Sequence, residues 1–151
     1  MAKLRGFFRK EDLAAIISAI EHAETRTSGE IRVRVERKGG NDPLKKAMIA
    51  FEKLGMKKTS LRNGILFYVS LQDRKFAILG DNMINAKVPK GFWDIVKNAV
   101  VEKFREKQFA IGLVGGINLA GEKLAEYFPL EKDDKNELPN AISFEDEDVK
   151  K

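Results

Sequence analysis

Apolar residues recur with two different periods along the chain, and these periods predict a succession of helices and strands. Four segments have an apolar residue every three or four positions, which is the spacing of an amphipathic helix. They are residues 11–25, 42–54, 92–107 and 108–128. Asp42-Pro43 is typical of a helix start and Gly55 of a helix end. The predicted buried stripe of the second helix consists of Leu44, Ala47, Met48, Phe51 and Leu54.

Residues 31–36 follow a period of two, in which apolar and charged residues alternate strictly. This pattern predicts a strand with one apolar and one charged face. We interpret it as an edge strand whose outer face lies partly in solvent. Arg32 and Arg34 share that face, either as solvated charges or as a pair facing an anion.

The stretch 62–81 organises the rest of the chain. Residues 65–69 form a continuous apolar run after Asn63-Gly64, and residues 76–79 form a second one after a polar turn. Such a pair predicts an antiparallel hairpin whose first strand is buried on both faces. The helix between the strand 31–36 and this hairpin predicts a right-handed crossover with parallel strands. The sequence therefore predicts an α/β fold with a small mixed β-sheet.

Composition and charge bound the possible functions. The 151 residues suit one domain, and the absence of cysteine excludes disulfides, thiolate zinc sites and a cysteine nucleophile. The only histidine, His22, lies off the apolar stripe, which argues against a Ser-His-Asp triad or a histidine metal site. Few aromatic residues are interleaved with basic ones, which argues against nucleic-acid binding.

The chain divides by composition into residues 1–129 and an acidic tail, residues 130–151. The tail holds eight acidic and four basic residues, a net charge of −4, which leaves +9 on residues 1–129 of the chain's total of +5. A tail of this composition is expected to be mostly disordered. Its apolar island, residues 138–144, either docks on the body, acts as a linear motif or stays disordered with the rest of the tail.

No segment resembles a signal peptide or a transmembrane span. The main apolar stretch, residues 109–121, has 13 residues, too few to cross a bilayer. We therefore expect a cytoplasmic protein, and a monomer.

Three polar turns are predicted to meet at one edge of the sheet. If the first two strands are parallel and the third returns, then residues 28–30, 62–64 and 80–82 converge there. Glu30, Asp81 and Asn82 would supply oxygen ligands suited to a hard cation, calcium or alternatively magnesium. Arg62, with Asn63 and Ser28, could hold a phosphate group. Ordinary turn chemistry is the other interpretation, in which Asp81 caps a helix and Glu30 pairs with Arg62.

Several motifs in the same order resemble those of the TPM domain family. They are Thr27-Ser28-Gly29-Glu30-Ile31, Phe51-Glu52-Lys53-Leu54-Gly55-Met56, residues 62–69, residues 76–81, Phe92-Trp93 and residues 109–113 through Phe128-Pro129. The resemblance covers residues 13–129. Many relatives carry a signal peptide and a membrane anchor; this chain, without either, resembles the soluble bacterial versions.

The resemblance implies a fold and two candidate functions. The fold would be a three-layer αβα sandwich of Rossmann-like type. The family includes a thylakoid-lumen acid phosphatase linked to photosystem II repair, which implies divalent-cation binding, chiefly of calcium, and phosphatase activity, with the acidic site on Glu30 and Asp81. We expect a calcium-binding module that engages a protein complex or a phosphorylated ligand; the alternative is a metal-dependent acid phosphatase acting on phosphomonoesters, whose catalytic residues the sequence does not identify.

Overall fold

The computed structural model describes residues 2–130, 138 and 140–148. The helices within these residues are α1 (Lys10–Glu24), α2 (Pro43–Lys53), α3 (Asn82–Lys87), α4 (Phe92–Arg105) and α5 (Phe109–Tyr127). The strands are β1 (Glu30–Glu36), β2 (Gly64–Ser70), β3 (Lys75–Gly80) and β4 (Ser143–Phe144). Short 3-10 turns lie at Leu4–Phe7, Met56–Lys58 and Glu145–Glu147. Each predicted helix and strand is therefore present within a few residues of its expected bounds.

The strands form one mixed sheet in the order β3-β2-β1-β4. β1 and β2 are parallel, as the crossover through α2 requires, and β2 and β3 form the predicted antiparallel hairpin. β4 pairs in parallel with the outer side of β1.

The sheet lies between two helical layers, which confirms the three-layer αβα sandwich. On one face the alternate apolar residues of β1 and β2 pack against α1, α4 and α5 in the larger core. On the other face Leu66 and Tyr68 pack against α2 residues such as Ala47 and Phe51 in a smaller core. The small-residue face of α5 packs closely: a Cβ on Gly116 would lie 2.5 Å from Val100 Cγ2 and 2.9 Å from Phe67 Cε2.

β1 is an interior strand, so the prediction of a half-exposed edge strand is wrong. All seven of its residues are buried, including Arg32 and Arg34 on the charged face. The prediction failed because the residues that cover this edge, 142–144, lie more than a hundred positions away in sequence. For Arg34, the interpretation as an arginine that faces an anion is correct, since it binds the carboxylates of Glu36 and Asp148.

The buried stripe of α2 also differs from its prediction. Ala47, Ala50 and Phe51 are buried, but Leu44 is 48% exposed and Met48 is 56% exposed. The helix meets the sheet through its small residues, which bring the backbone close and turn the neighbouring large side chains outward. Of these outward-facing side chains, Met48 borders a surface pocket described below.

Part of the predicted acidic tail belongs to the fold. Ile142 and Phe144 are buried in the larger core, and Glu145–Glu147 form a 3-10 turn against the body. The apolar island therefore docks on the domain. Residues 131–137, 139 and 149–151, where the rest of the predicted disorder falls, lie outside the described residues.

Within the described residues, no helix has both the length and the apolar character needed to cross a membrane.

Candidate functional site at the N-terminal edge of the sheet

The three polar turns meet as the connectivity predicts. Glu30 at the start of β1 lies in register with Gly64 at the start of β2, and Ile65 lies in register with Gly80 at the end of β3. The amide of Asp81 donates to the carbonyl of Gly64 at 2.9 Å, which continues this register by one residue. Glu30, Gly64 and Asp81 therefore lie in one row across the sheet, which we call the N-terminal edge.

At one end of this row, Asp81 is paired with Arg62. Arg62 Nε and Nη2 donate to the two carboxylate oxygens of Asp81 at 2.7 and 2.8 Å, a bidentate ion pair. Asp81 also caps α3, since its Oδ1 accepts from the amide of Asn82 at 2.8 Å. Asp81 is buried, whereas the Arg62 side chain is 37% exposed. The interpretation of Asp81 as a helix cap is thus confirmed, but Arg62 pairs with Asp81 rather than with Glu30.

At the other end of the row, Glu30 contacts a second carboxyl group, that of Glu24. Glu24 lies at the end of α1, where its Oε2 accepts from the amide of Ile31 at 3.0 Å and its carboxyl group lies beside that of Glu30. Burial raises the pKa of Glu24 to about 8, and the negative charge of Glu30 adds to the rise. Glu30 Oε1 also accepts from the amide of Leu138 at 3.3 Å.

Met56 separates the two ends of the row. A Cβ on Gly64 would lie 3.2 Å from Met56 Cε and 3.3 Å from Met56 O, so the buried Met56 side chain occupies the space above Gly64. Because neighbouring strands lie about 4.8 Å apart, the Cα atoms of Glu30 and Asp81 are separated by about 10 Å. The edge therefore holds two acidic positions: Glu24 with Glu30, and Asp81 with Arg62.

Ser28 and Asn63, which lie just before β1 and β2, are close together at the same edge. Asn63 Nδ2 is 3.5 Å from Ser28 Oγ, while Asn63 Oδ1 is buried and has no hydrogen-bond partner among the described residues. The structure thus brings together two of the three residues predicted to hold phosphate. The third, Arg62, is directed to Asp81.

A surface pocket of about 480 Å³ opens beside Asp81 and Asn82. Its apolar wall consists of Leu79, Phe51 and the exposed side chains of α2, Met48 and Ile49, and its rim carries charged residues of both signs. The rim residues are Lys45, Glu52 and Lys57, of which Glu52 and Lys57 form an ion pair. Met48, which was predicted to be buried, thus lines the pocket next to the predicted site.

The donor set at this edge limits what cation it could hold. No group of three or more histidine, cysteine, aspartate or glutamate side chains suited to a metal occurs in the described part of the chain. Calcium and magnesium sites can combine two carboxylates with carbonyl, amide and water oxygens. Glu24 and Glu30 supply two neighbouring carboxyl groups, one fewer than such a group of three.

Sequence reasoning identified Glu30 but missed Glu24. Glu24 is the last residue of α1 and lies six positions before Glu30, across a turn whose path the sequence pattern does not give. One signal was available: Thr27-Ser28-Gly29 forces a tight return of the chain, and an acidic residue at a helix end just before such a return can come back to the strand start. In the structure Thr27 Oγ1 hydrogen-bonds to the carbonyl of Phe128 and fixes that return.

Comparisons with known proteins agree with this architecture. The family model of the TPM domain matches residues 2–123. The BA42 protein of the psychrophilic bacterium Bizionia argentinensis, solved by NMR, is 46% identical, with 95% of this chain and 99% of that chain covered and a TM-score of 0.86. A comparison with curated proteins gives no match.

Two more distant solved structures share the fold. The N-terminal domain of cg2496 from Corynebacterium glutamicum is 17% identical, with 88% and 86% of the two chains covered and a TM-score of 0.65. The N-terminal domain of a P. gingivalis protein is 18% identical, with 82% and 80% covered and a TM-score of 0.65. The family match and the relative at 46% identity together establish that this chain belongs to the TPM domain family.

Proposed function

We propose that this TPM domain binds a divalent cation, calcium in the first place and magnesium as the alternative, at the N-terminal edge of its sheet. Glu30 is the principal ligand and Glu24 the second. The observation that carries the proposal is the contact between these two carboxyl groups at the start of β1, where Glu30 is only 2% exposed. Two neighbouring carboxylates repel each other unless a proton or a cation lies between them.

The surroundings of this pair support a cation with flexible coordination. Ser28 lies in the turn between Glu24 and Glu30, and Asn63 Nδ2 is 3.5 Å from Ser28 Oγ. The hydroxyl of Ser28 and the unpartnered Oδ1 of Asn63 are further oxygen atoms at this edge of the sheet. Calcium accepts irregular sets of carboxylate, carbonyl and water oxygens, whereas magnesium requires a near-octahedral set. Three converging turns would supply an irregular set of oxygen atoms, which favours calcium over magnesium.

Asp81 and Asn82 have a secondary part in this proposal. The charge of Asp81 is balanced by the bidentate pair with Arg62, so a cation at this position would have to displace a guanidinium group. The pocket beside Asp81 is then available to an anionic group of a partner, with Lys45 on its rim. This arrangement fits a binding or assembly module that engages a protein complex or a phosphorylated ligand.

Phosphatase activity has less support from the geometry. Ser28 Oγ lies near the carbonyl of Phe128 and the amide of Asn63, neither of which can act as a general base. The feature in its favour is the pocket next to Asp81, which is large enough for a small phosphomonoester. Turnover of a chromogenic phosphomonoester, measured with and without calcium or magnesium, tests it; activity that Glu30→Gln abolishes would establish the enzyme.

Cation binding is tested by calcium titration of the purified chain, followed by amide chemical shifts and by the melting temperature. A cation that binds only the folded state at a hundred times its Kd stabilises by about 2.7 kcal/mol, so Tm should rise by several degrees and chelator should reverse the rise. Shifts should concentrate at residues 24 and 28–31. Glu30→Gln and Glu24→Gln should each remove the response.

Matched variants locate the cation. Glu102→Gln removes an exposed carboxylate of α4 and should leave the response unchanged. Asp81→Asn should weaken it little, because Arg62 already balances that charge. If Asp81→Asn abolishes binding while Glu24→Gln preserves it, the cation lies at Asp81 and the assignment to Glu24 is wrong. No change in Tm or in amide shifts at millimolar calcium or magnesium would leave the carboxyl pair with a structural role only.

A further inference from the structure

Residues 140–148, which we call the acidic strap, run along the outer side of β1. Only two residues of the strap pair with the strand: Ser143 with Arg34 and Phe144 with Val35. The strap therefore contributes a very short strand to the sheet. Most of its contacts with the body are made by side chains, and these contacts have a definite pattern.

Two apolar side chains at alternate positions anchor the strap. Ile142 is 6% exposed and Phe144 is 1% exposed, and both join the larger core. The Phe144 ring packs edge-on against Phe8 and lies 4.6 Å from the guanidinium carbon of Arg5. Between the anchors, Ser143 faces the opposite side of the sheet and its Oγ accepts from Arg34 Nη1 at 2.8 Å.

The next four residues are all acidic, and each binds its own group on the body. Glu145 accepts from the amide of Arg37 at 3.0 Å and Asp146 accepts from the amide of Leu4 at 2.9 Å. The last two acidic residues, Glu147 and Asp148, form close ion pairs with basic side chains of the body. Glu147 binds Arg5 through two bonds of 2.8 Å, and Asp148 binds Arg34 through two bonds of 2.7 Å and Lys53 at 2.8 Å.

The groups that receive the strap belong to separate parts of the domain. Arg34 lies within β1, Lys53 ends α2, and Arg5 lies in the N-terminal 3-10 turn. The family model covers residues 2–123, so these groups lie within the matched region and the strap lies beyond it. The body of the chain carries the excess of positive charge, and the strap supplies complementary negative charge.

From this pattern we propose that the outer edge of β1 is a peptide-binding site and that the acidic strap is its intramolecular ligand. The partner is an extended peptide of another protein with two apolar residues at alternate positions followed by a run of acidic residues. Such a peptide adds a strand to β1 through backbone hydrogen bonds. The site that Phe144 occupies binds one of its apolar side chains, and Arg5 and Arg34 bind its acidic side chains. A tethered strap competes with the partner at an effective concentration in the millimolar range, so the partner binds when the strap is weakened or released.

The test uses the full chain with a weakened strap, Phe144→Ala combined with Asp148→Asn, in buffer that contains chelator. The probe is a synthetic peptide of residues 140–148 with fluorescein at its N-terminus, followed by fluorescence anisotropy. We expect apparent affinity at least about tenfold higher for the variant than for the unaltered chain. Raising the salt from 50 to 500 mM should weaken binding about tenfold or more, because exposed and half-exposed ion pairs are screened.

Two peptide controls establish the chemistry. A peptide with alanine in place of Phe144 and a peptide with Glu145 to Asp148 changed to their amides should each bind at least about tenfold more weakly than the unaltered peptide. Equal binding of all three would overturn the proposed recognition. Dimers of the unaltered chain that exchange their straps would overturn the assignment to a separate partner.

Hydrogen exchange of the unaltered chain tests the strap without any substitution. If the strap is a replaceable ligand, its amides exchange at least about a hundredfold faster than those of β2, since it opens without global unfolding. Exchange of both segments at the same rate, or an unfolded double variant in circular dichroism, would show that residues 140–148 are an integral strand and would overturn the proposal. Because these measurements need no cation, their failure is separate from failure of cation binding.

Discussion

At the C-terminal end of β1, Arg34 lies between the carboxylates of Glu36 and Asp148, whereas at the N-terminal end Glu30 lies beside a second carboxyl group, that of Glu24. At the first, opposite charges meet with good geometry. At the second, like groups meet, and only a proton or a cation can remove their repulsion.

The pKa values express this difference. Burial lowers the pKa of Arg34, but its hydrogen bonds to Asp148 and Glu36 outweigh burial and raise it overall. The hydrogen bond from Arg34 lowers the pKa of Asp148 to about 2. The pKa of Glu24, by contrast, is raised to about 8 by burial and by the charge of Glu30. Paired charge at one end therefore stabilises the fold, whereas the contact of like groups at the other end opposes ionisation of Glu24.

Of the substitutions that test this comparison, Arg34→Met should change the stability most. Replacing this residue, which is 1% exposed, by methionine leaves Glu36 and Asp148 without their common cation. Breaking a buried ion pair costs about 3–5 kcal/mol, and we expect the lower part of that range because the Asp148 side chain is 21% exposed. Urea unfolding measures the loss.

Arg26→Met is the matched control for this substitution. Arg26 is exposed, so the same change there should alter the free energy of unfolding by less than about 0.5 kcal/mol. Equal losses for the two variants would show that the carboxylates at the C-terminal end of β1 do not depend on Arg34.

Removing the like-charge contact should have a smaller effect of opposite sign. Glu24→Gln keeps an oxygen that can accept from the amide of Ile31 and removes the repulsion with Glu30. A raised carboxyl pKa means that the folded state loses stability as pH rises from about 4.5 through about 8. At pH 9 in chelator, we expect the variant to melt about 2–4 °C higher than the unaltered chain, a gain of about 1 kcal/mol.

The same variant should have a nearly unchanged Tm at pH 4, where the carboxyl group is mostly protonated in both the folded and unfolded states. Calorimetry at the two pH values measures both effects. A lower Tm for Glu24→Gln at pH 9 would mean that the carboxylate stabilises the fold, and the contrast between the two ends of β1 would be lost.

Acid titration of Asp148 should give the smallest effect. Its pKa is lower in the folded state than the usual 3.8, so its contribution is present above about pH 4 and is lost as pH falls toward 2. Because the side chain is partly exposed, the contribution is at most about 1 kcal/mol. Asp148→Asn should make the free energy of unfolding less dependent on pH in this range. The control is Asp42→Asn, which changes an exposed helix cap. Identical acid unfolding profiles for the two variants would contradict the assignment to Asp148.

Most of the fold could be predicted from local sequence patterns. The hairpin at residues 64–80 was predictable because an apolar run of strand length cannot be a stable helix and because a polar turn separates it from its partner. The parallel pairing of β1 and β2 followed from the helix between them. The row Glu30, Gly64 and Asp81 was predictable for the same reason, since connectivity alone brings the three turns to one edge.

What the sequence could not decide were contacts between distant segments. Charged residues in a strand indicate solvent unless something covers them, and Arg34 is covered by residues more than a hundred positions later. The orientation of α2, which turned Met48 outward, depended on how closely Ala47 and Ala50 approach the sheet.

The partners of the acidic groups at the N-terminal edge were likewise set by three-dimensional packing. Sequence alone determined that Glu30 and Asp81 share an edge of this domain. Only the tertiary structure decided that Met56 separates them, that Asp81 pairs with Arg62 and that Glu30 contacts Glu24. The physical reason is that secondary structure depends on neighbours along the chain, whereas the balance of buried charge depends on groups that folding brings together from anywhere in it.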